Sequence, residues 1–292
     1  MAAIALVGGV LVVNPPEQIG AQSAATPPGE QTPLPNPPIS DSCGTNVTLV
    51  LDASGSINSS GAVGDVRDAA EAFLDALADT GSTARVLQFA SFSEELATQV
   101  EVTQQSLAPG GVLRQAVNDY YQPKPPRPTG ASIYRYDGRG DPQSLSNWNR
   151  RNSDNQYTNW DQSLDQAGAP QTLPTELILY VTDGDPTSYD FNQAGDPFDA
   201  GPPPDVSTNT NRDRAAATTL DRAVQEANEA KAAGARMLAV GVGSAVTGSP
   251  NSVARLVEIS GPQTVDDGDL DTITSINDVD VALVQDLSLI HI

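Results

Sequence analysis

The stretch Val47-Thr-Leu-Val-Leu-Asp-Ala-Ser-Gly-Ser56 decides the fold class, because an apolar strand-like run ends in one carboxylate and two hydroxyls. Asp52, Ser54 and Ser56 are spaced two apart, so their oxygens can turn toward one point. Oxygen ligands without Cys or His suit Mg²⁺, Mn²⁺ or Ca²⁺ rather than zinc. The same pattern also fits a Ser/Gly-rich turn in which a serine caps the following helix.

Two further segments add oxygen-bearing side chains of the same kind. Residues 175–187 contain a second apolar strand pattern, which ends in Asp183-Gly-Asp185, and Thr158 stands at the start of a predicted helix. These residues could supply the rest of an octahedral shell of oxygen ligands. The sequence therefore predicts a divalent cation site built from three separate parts of the chain.

On these three motifs, over about residues 44–286, the chain resembles the von Willebrand factor A family, whose metal-ion-dependent adhesion site combines DxSxS, a separate Thr and a T-D-G turn. The resemblance implies that Ser54, Ser56 and Thr158 ligate Mg²⁺, or Mn²⁺ or Ca²⁺, through hydroxyls. It implies that Asp52 and Asp183 act partly through bound waters. Residues expected at the rim of the site or behind the ligands are Gly55, Tyr157, Trp160, Gly184 and Asp185. Asp185 also fits a simple turn with Pro186, and we favour that interpretation.

Strand and helix patterns alternate along the chain and predict an α/β fold with a doubly wound, mostly parallel six-stranded sheet and helices on both faces. Strands over 85–91 and 95–102 are joined too closely for a crossover helix, so they predict one antiparallel edge strand. Residues 278–287 form an amphipathic stretch that we interpret as a terminal helix. With strand order 3-2-1-4-5-6, strands 1 and 4 are neighbours, which brings Asp52 and Asp183 to the same edge.

The composition predicts one main domain with irregular ends. Residues 1–25 resemble the remnant of a secretory signal or, alternatively, a disordered apolar tail, and their apolar run is too short to span a bilayer. Residues 26–42 read as a disordered Pro/Ser-rich linker, and 43–286 as the domain, with an insertion at 122–157. Residues 287–292 break the preceding acidic pattern, and the sequence leaves open whether they are native. Cys43 is the single cysteine, either free or paired with a residue beyond this sequence.

The charge balance and the residue types exclude several functions. A net charge of -22, from 15 basic and 37 acidic residues, argues against a nucleic-acid partner. The sequence contains neither a GxxxxGK[ST] phosphate loop nor a Cys/His pair, and its only histidine, His291, lies in the doubtful tail. We therefore predict a protein that is not an enzyme; hydrolysis by a metal-bound water is the least favoured alternative.

Together these observations predict a metal-dependent adhesion or protein-binding domain of a secreted or cell-surface bacterial protein. Its ligand would be a protein or glycan whose carboxylate completes the metal shell. The insertion 122–157 would frame the site, or alternatively would pack as a flap on the sheet end. The main alternative function is a structural module of a surface appendage, in which the metal stabilises the fold. The oligomeric state is left open.

Overall fold

A mixed β-sheet of seven strands forms the centre of this computed structural model, which describes residues 31–39, 44–90, 93–121, 158–187 and 212–285. The strands are β1 (Asn46–Asp52), β2 (Thr83–Phe89), β3 (Ser93–Glu101), β4 (Leu177–Thr182), β5 (Arg236–Val242), β6 (Thr264–Asp266) and β7 (Val281–Val284). The helices are α1 (Gly55–Ser60), α2 (Val63–Ala76), α3 (Gln104–Leu107), α4 (Val112–Asp119), α5 (Trp160–Gly168), α6 (Arg212–Ala232), α7 (Ser244–Thr247) and α8 (Pro250–Ile259).

The strand order is β3-β2-β1-β4-β5-β7-β6, and β3 is the edge strand that runs antiparallel to its neighbour. All the other pairings are parallel. The predicted doubly wound α/β fold with one antiparallel edge is therefore confirmed. Because β1 and β4 are central neighbours, their carboxyl ends meet at one edge of the sheet.

The core lies on both faces of the sheet, as expected for parallel strands covered by helices. Successive residues of a strand point to opposite faces, and β1 shows this clearly: Leu49 and Leu51 belong to one core cluster and Val50 to the other. Helices α2 and α4 cover the first face, and α5, α6 and α8 cover the second. None of the described helices is both long and apolar enough to cross a bilayer.

The chain end differs from the sequence-based prediction. Within the stretch 278–287, interpreted as a helix, Val281–Val284 form strand β7, and all four residues are buried. With the short edge strand β6, the sheet has seven strands rather than six. A short apolar run buried on both faces has no periodicity of its own, so periodicity cannot distinguish a strand from a helix there.

Residues 31–39 lie within the stretch predicted to be a disordered linker, but here they pack against the domain. We call them the strap. Its Asn36 side chain donates to Met237 O at 2.7 Å and accepts from Met237 N at 2.8 Å, as a neighbouring strand would. Leu34 O accepts from Lys231 Nζ at 2.8 Å. Low apolar content suggested disorder, but the strap is held by hydrogen bonds, which composition does not reveal.

Candidate metal centre

The two predicted aspartates lie at the carboxyl ends of neighbouring strands. Asp52 is the last residue of β1, and Asp183 directly follows β4. The parallel register pairs Leu51 with Val181, so both chains leave the sheet at the same edge. Asp52 is completely buried and Asp183 is 5% exposed. The topology thus brings together acids that are far apart in the sequence.

A chain of hydroxyls connects the loop after β1 to the loop after β4. Ser56 Oγ donates to Asp183 Oδ1 at 2.6 Å, and it lies 2.9 Å from Ser54 Oγ. Since a hydroxyl has one proton, Ser54 is the donor in the second bond. Ser54 stands at the N-cap position of α1, but its side chain makes no capping hydrogen bond. Its hydroxyl therefore serves the oxygen cluster rather than the helix end.

Thr158 is positioned by backbone contacts from two neighbouring loops. Its N–H donates to Thr187 Oγ1 at 2.8 Å, and Thr187 N donates back to Thr158 O at 2.9 Å. Next to it, Asn159 N donates to Ala90 O after β2 at 2.9 Å. These bonds bind the start of α5 to the ends of β2 and β4.

Gly184 shows where the Thr158 hydroxyl lies. A Cβ atom placed on Gly184 would stand 3.6 Å from Ser56 Oγ and 3.8 Å from Thr158 Oγ1. Both hydroxyls therefore border the same small space beside this glycine, and a larger residue would partly fill that space. The structure thus brings Asp52, Ser54, Ser56, Thr158 and Asp183 to one edge of the sheet.

The electrostatics of the two carboxylates favour a cation. Burial, together with the charge of Asp183, raises the pKa of Asp52 to about 7. Hydrogen bonds from Thr182 and Ser54 oppose that rise. Burial also raises the pKa of Asp183, against hydrogen bonds from Ser56 and Ser60. Within the described residues neither carboxylate forms an ion pair, so this concentration of negative charge is not balanced by a basic side chain.

The donor set fits a hard divalent ion. Two carboxylates and three hydroxyls offer only oxygen atoms, which are the ligands preferred by Mg²⁺, Mn²⁺ and Ca²⁺. In the part of the chain that the structure describes, no group of three or more His, Cys, Asp or Glu side chains could hold a metal. The neutral hydroxyls would therefore have to provide the remaining ligands.

The predicted rim residues fall into different environments. Gly55 opens α1 and, like Gly184, is partly exposed. Asp185 forms an ion pair with Arg255 of α8, so its role is more than a turn with Pro186. Trp160 is fully buried and packs edge-to-face on Tyr180, with ring centroids 5.8 Å apart, so it belongs to the core and not to an exposed rim. Tyr157 and the insertion 122–157 lie outside the described residues.

Three hydroxyl residues that support the site were not singled out from the sequence. Thr182 Oγ1 donates to Asp52 Oδ2 at 2.6 Å, Thr187 holds Thr158, and Ser60 Oγ lies 3.5 Å from Asp183 Oδ2. Thr182 had a signal, because it is a hydroxyl at the end of an otherwise apolar strand. Ser60 and Thr187 had none that separates them from ordinary loop residues.

Comparisons with known proteins support the fold. No family model and no curated protein matches the chain. The solved pilus adhesin SpaC from Lactobacillus rhamnosus GG is similar with a TM-score of 0.50 and 14% identity, over 87% of this chain and 30% of SpaC. The mussel byssus protein PTMP1, with a zinc-occupied MIDAS motif, gives 0.46 and 14%, over 84% of this chain and 43% of PTMP1.

A von Willebrand factor type A protein from Catenulispora acidiphila gives a TM-score of 0.40 and 16% identity, over 70% of this chain and 34% of that protein. The chain therefore spans less than half the length of each of these three proteins. At such low identity the likeness concerns the fold alone. With the sheet order and its single antiparallel edge, the likeness to SpaC supports the doubly wound α/β fold that the resemblance to von Willebrand factor A domains predicts.

Proposed function

We propose that this chain is a divalent-metal-dependent binding module of a secreted or cell-surface protein. Asp52, Ser54, Ser56, Thr158 and Asp183 would hold the ion, which we expect to be Mg²⁺ or else Mn²⁺ or Ca²⁺. The observation that carries the proposal is the run of hydrogen bonds from Ser54 through Ser56 to Asp183, beside the buried Asp52.

Two hydrogen bonds, one from a backbone N–H and one from a hydroxyl, hold the Asp52 carboxylate in one orientation. Oδ1 accepts from Ser54 N at 2.7 Å, and Oδ2 accepts from Thr182 Oγ1 at 2.6 Å. The serine and threonine hydroxyls add oxygen donors without adding negative charge. If the two aspartates act partly through bound waters, as the family resemblance implies, most ligands in direct contact with the ion would be neutral hydroxyls, and the ion could accept a carboxylate from outside.

Exposure indicates the side from which a ligand would approach. Asp52 and Ser54 are fully buried, and Thr158 and Asp183 are nearly so. Ser56 is exposed, and it lies beside the partly exposed Gly55 and Gly184. A ligand carboxylate would therefore reach the site over these two glycines, which leave it unobstructed by side chains of their own.

The ligand class follows from this chemistry. A protein or glycan that presents a carboxylate could bridge to the ion, although the chain carries a net charge of -22. Long-range electrostatic attraction would then contribute little to binding, and the contact between the carboxylate and the ion would provide most of the affinity. SpaC is a pilus adhesin, and adhesion is the corresponding role that we propose for this chain.

The metal site is tested first. Isothermal titration with Mg²⁺, Mn²⁺ and Ca²⁺ should show one ion per wild-type chain, with a dissociation constant for Ca²⁺ of about 10⁻⁴ to 10⁻³ M, the range of extracellular Ca²⁺-binding modules. Asp183→Asn and Thr158→Val should abolish this binding. Asp119→Asn, which changes an exposed acid on α4, is the matched control and should bind as the wild type does. Equal binding by all four proteins would refute the proposed metal site.

The ligand is tested with paired probes. Peptides that differ only in Glu against Gln, and glycans that differ only in a carboxylate against its neutral analogue, are immobilised and exposed to labelled chain. We expect retention on the carboxylate member in Mg²⁺ and its loss in EDTA or with Thr158→Val. If Mg²⁺ raises the melting temperature but neither member of any pair is retained, the metal is structural and the chain is a scaffold module rather than an adhesin.

A further inference from the structure

We infer that Tyr120 and Tyr121 are positioning residues for the metal-binding loop, defined as residues 52–56, and that they help to set its affinity for the ion. The inference rests on the proposed function and adds two residues from a different part of the fold. Neither tyrosine belongs to the predicted ligand set, and both follow α4 rather than β1 or β4.

Both phenols reach backbone carbonyls of this loop. Tyr120 is completely buried, and its hydroxyl donates a short hydrogen bond to Asp52 O. The Tyr121 hydroxyl lies 3.5 Å from Ser54 O. Consecutive residues thus contact alternate carbonyls of the loop. Asp52 and Ser54 are the first two of the predicted ligands in the sequence, so these contacts fix the backbone from which both ligand side chains project.

The tyrosines are themselves held by other elements. From α2, Arg67 donates to Tyr120 O at 2.9 Å and to Val117 O at 3.3 Å, which ties down the end of α4. Tyr121 N donates to Gln88 Oε1 of β2 at 3.0 Å. The backbones of the two tyrosines are therefore held by α2 and β2, while their hydroxyls reach the loop.

The backbone of Tyr121 is unusual in a way that fits this role. Its φ of 58° lies in the left-handed region, which a bulky residue seldom adopts. Such conformations persist only where the surrounding contacts impose them. Here the conformation places two successive aromatic rings edge-to-face, with centroids 6.0 Å apart, beside the same loop.

The loop is consequently held from several sides. Ala53 N donates to Phe89 O at 2.6 Å, the Asp52 carboxylate is held by Ser54 N and Thr182, and the carbonyls are held by the tyrosines. Partners that orient metal ligands, without touching the ion, commonly affect affinity by about 10–100-fold. Loosening the backbone should also weaken selection between ions, because Mg²⁺ tolerates irregular geometry less well than Ca²⁺.

The test compares Tyr120→Phe and Tyr121→Phe with Tyr180→Phe. Tyr180 is also completely buried, but its hydroxyl shares a hydrogen bond with Ser163 Oγ at 2.8 Å, whereas the hydroxyls of Tyr120 and Tyr121 reach backbone carbonyls of the loop. Hydrogen exchange is measured first, without metal, at the Ala53 and Ser54 amides. We expect faster exchange in Tyr120→Phe than in Tyr180→Phe when each variant is measured at the same interval below its own melting temperature. Tyr121→Phe, whose side chain is less buried, provides a second variant in case Tyr120→Phe does not fold.

Metal titration is the second readout. Relative to Tyr180→Phe, Tyr120→Phe should lose about tenfold in Mg²⁺ affinity and less in Ca²⁺ affinity, so that the ratio of the two shifts. Unchanged exchange and an unchanged ratio in both loop variants would overturn the inference. A wild-type chain that binds no ion would refute the proposed function, and the exchange data would still decide whether the tyrosines hold the loop.

Discussion

Thr182 Oγ1 donates to Asp52 Oδ2 at 2.6 Å, and these two completely buried residues end the neighbouring strands β4 and β1. The same hydroxyl lies 3.2 Å from Gly184 O and accepts from Gly184 N at 3.3 Å. Thr182 therefore connects the buried carboxylate to the turn that borders the candidate metal centre.

Replacing Thr182 with Val should destabilise the chain. Valine keeps the shape of the side chain but removes the donor, which leaves Asp52 Oδ2 and the Gly184 N–H without this partner. An unsatisfied buried polar group costs about 1–3 kcal/mol of unfolding free energy. Urea denaturation measures the loss, and Thr182→Ser, which keeps the hydroxyl, is the control. Equal stabilities of the Val and Ser variants would show that the hydrogen bond contributes nothing.

Asp52→Asn should stabilise the metal-free chain at about pH 8, where Asp52 is mostly ionised given its pKa of about 7. The amide removes a buried charge next to Asp183 and still accepts from Ser54 N. We expect a gain of about 1 kcal/mol or more in EDTA. When Mg²⁺ is present at 100 times its dissociation constant, the unfolding free energy of the wild type should rise by about 2.7 kcal/mol, and that of the variant should not change. Thermal melts in both buffers check this; a wild type that is the more stable in EDTA would contradict it.

The central part of the fold could be predicted from the sequence because its strands and helices have distinct patterns. Strands β1, β4 and β5 are apolar runs bounded by polar turns, and α2 keeps its apolar residues at helical spacing. The prediction for β7 was wrong because its four buried residues do not alternate between apolar and polar. The prediction of a disordered linker at the strap was wrong for a different reason: the hydrogen bonds of Asn36 reach a residue about 200 positions away.

The candidate site was predictable to the extent that its ligands lie in recognisable motifs at strand ends. DxSxS and T-D-G each follow an apolar run, and the parallel topology then requires them to meet. Supporting residues were harder to find. The Thr187 hydroxyl accepts from the backbone N–H of Thr158, and the Tyr120 hydroxyl donates to the Asp52 carbonyl. Such contacts depend on how loops pack in three dimensions, and no local pattern marks them.

Asn36→Ala should show that the strap is part of the folded domain. The substitution removes both partners of the Met237 backbone, and Met237 itself is completely buried. We expect a loss of about 1–3 kcal/mol in unfolding free energy, because the buried N–H and carbonyl of Met237 would lose their partners and could not readily bond to water instead. Chemical denaturation measures the change.

Leu34→Ser is the matched control for the strap. Leu34 is 43% exposed, and its hydrogen bonds with Asn228 and Lys231 of α6 use only its backbone N–H and carbonyl, so we expect a change within about 0.5 kcal/mol. If Asn36→Ala is equally mild, the strap rests on the domain without stabilising it.

Lys231 should make stability depend on pH in the alkaline range. Its side chain is 5% exposed at the strap, and burial, opposed by the charge of Asp280, lowers its pKa from 10.5 to about 8. Below pH 8 both the folded and the unfolded chain bind the proton, so the full cost of the buried charge is present. Between about pH 8 and 10.5 the unfolded chain binds more protons, so the unfolding free energy should rise with pH.

Lys231→Met removes this titration, and its lost hydrogen bond to Leu34 O gives an offset that we expect to vary little with pH. Urea denaturation of both proteins at about pH 7.5 and 9.5 should show the wild type gaining about 2 kcal/mol relative to the variant. Taking the difference between the two proteins also cancels the titration of all other groups, since these are common to both chains. A difference that stays constant or falls with pH would mean that Lys231 keeps an ordinary pKa and that the strap leaves its ammonium group in contact with water.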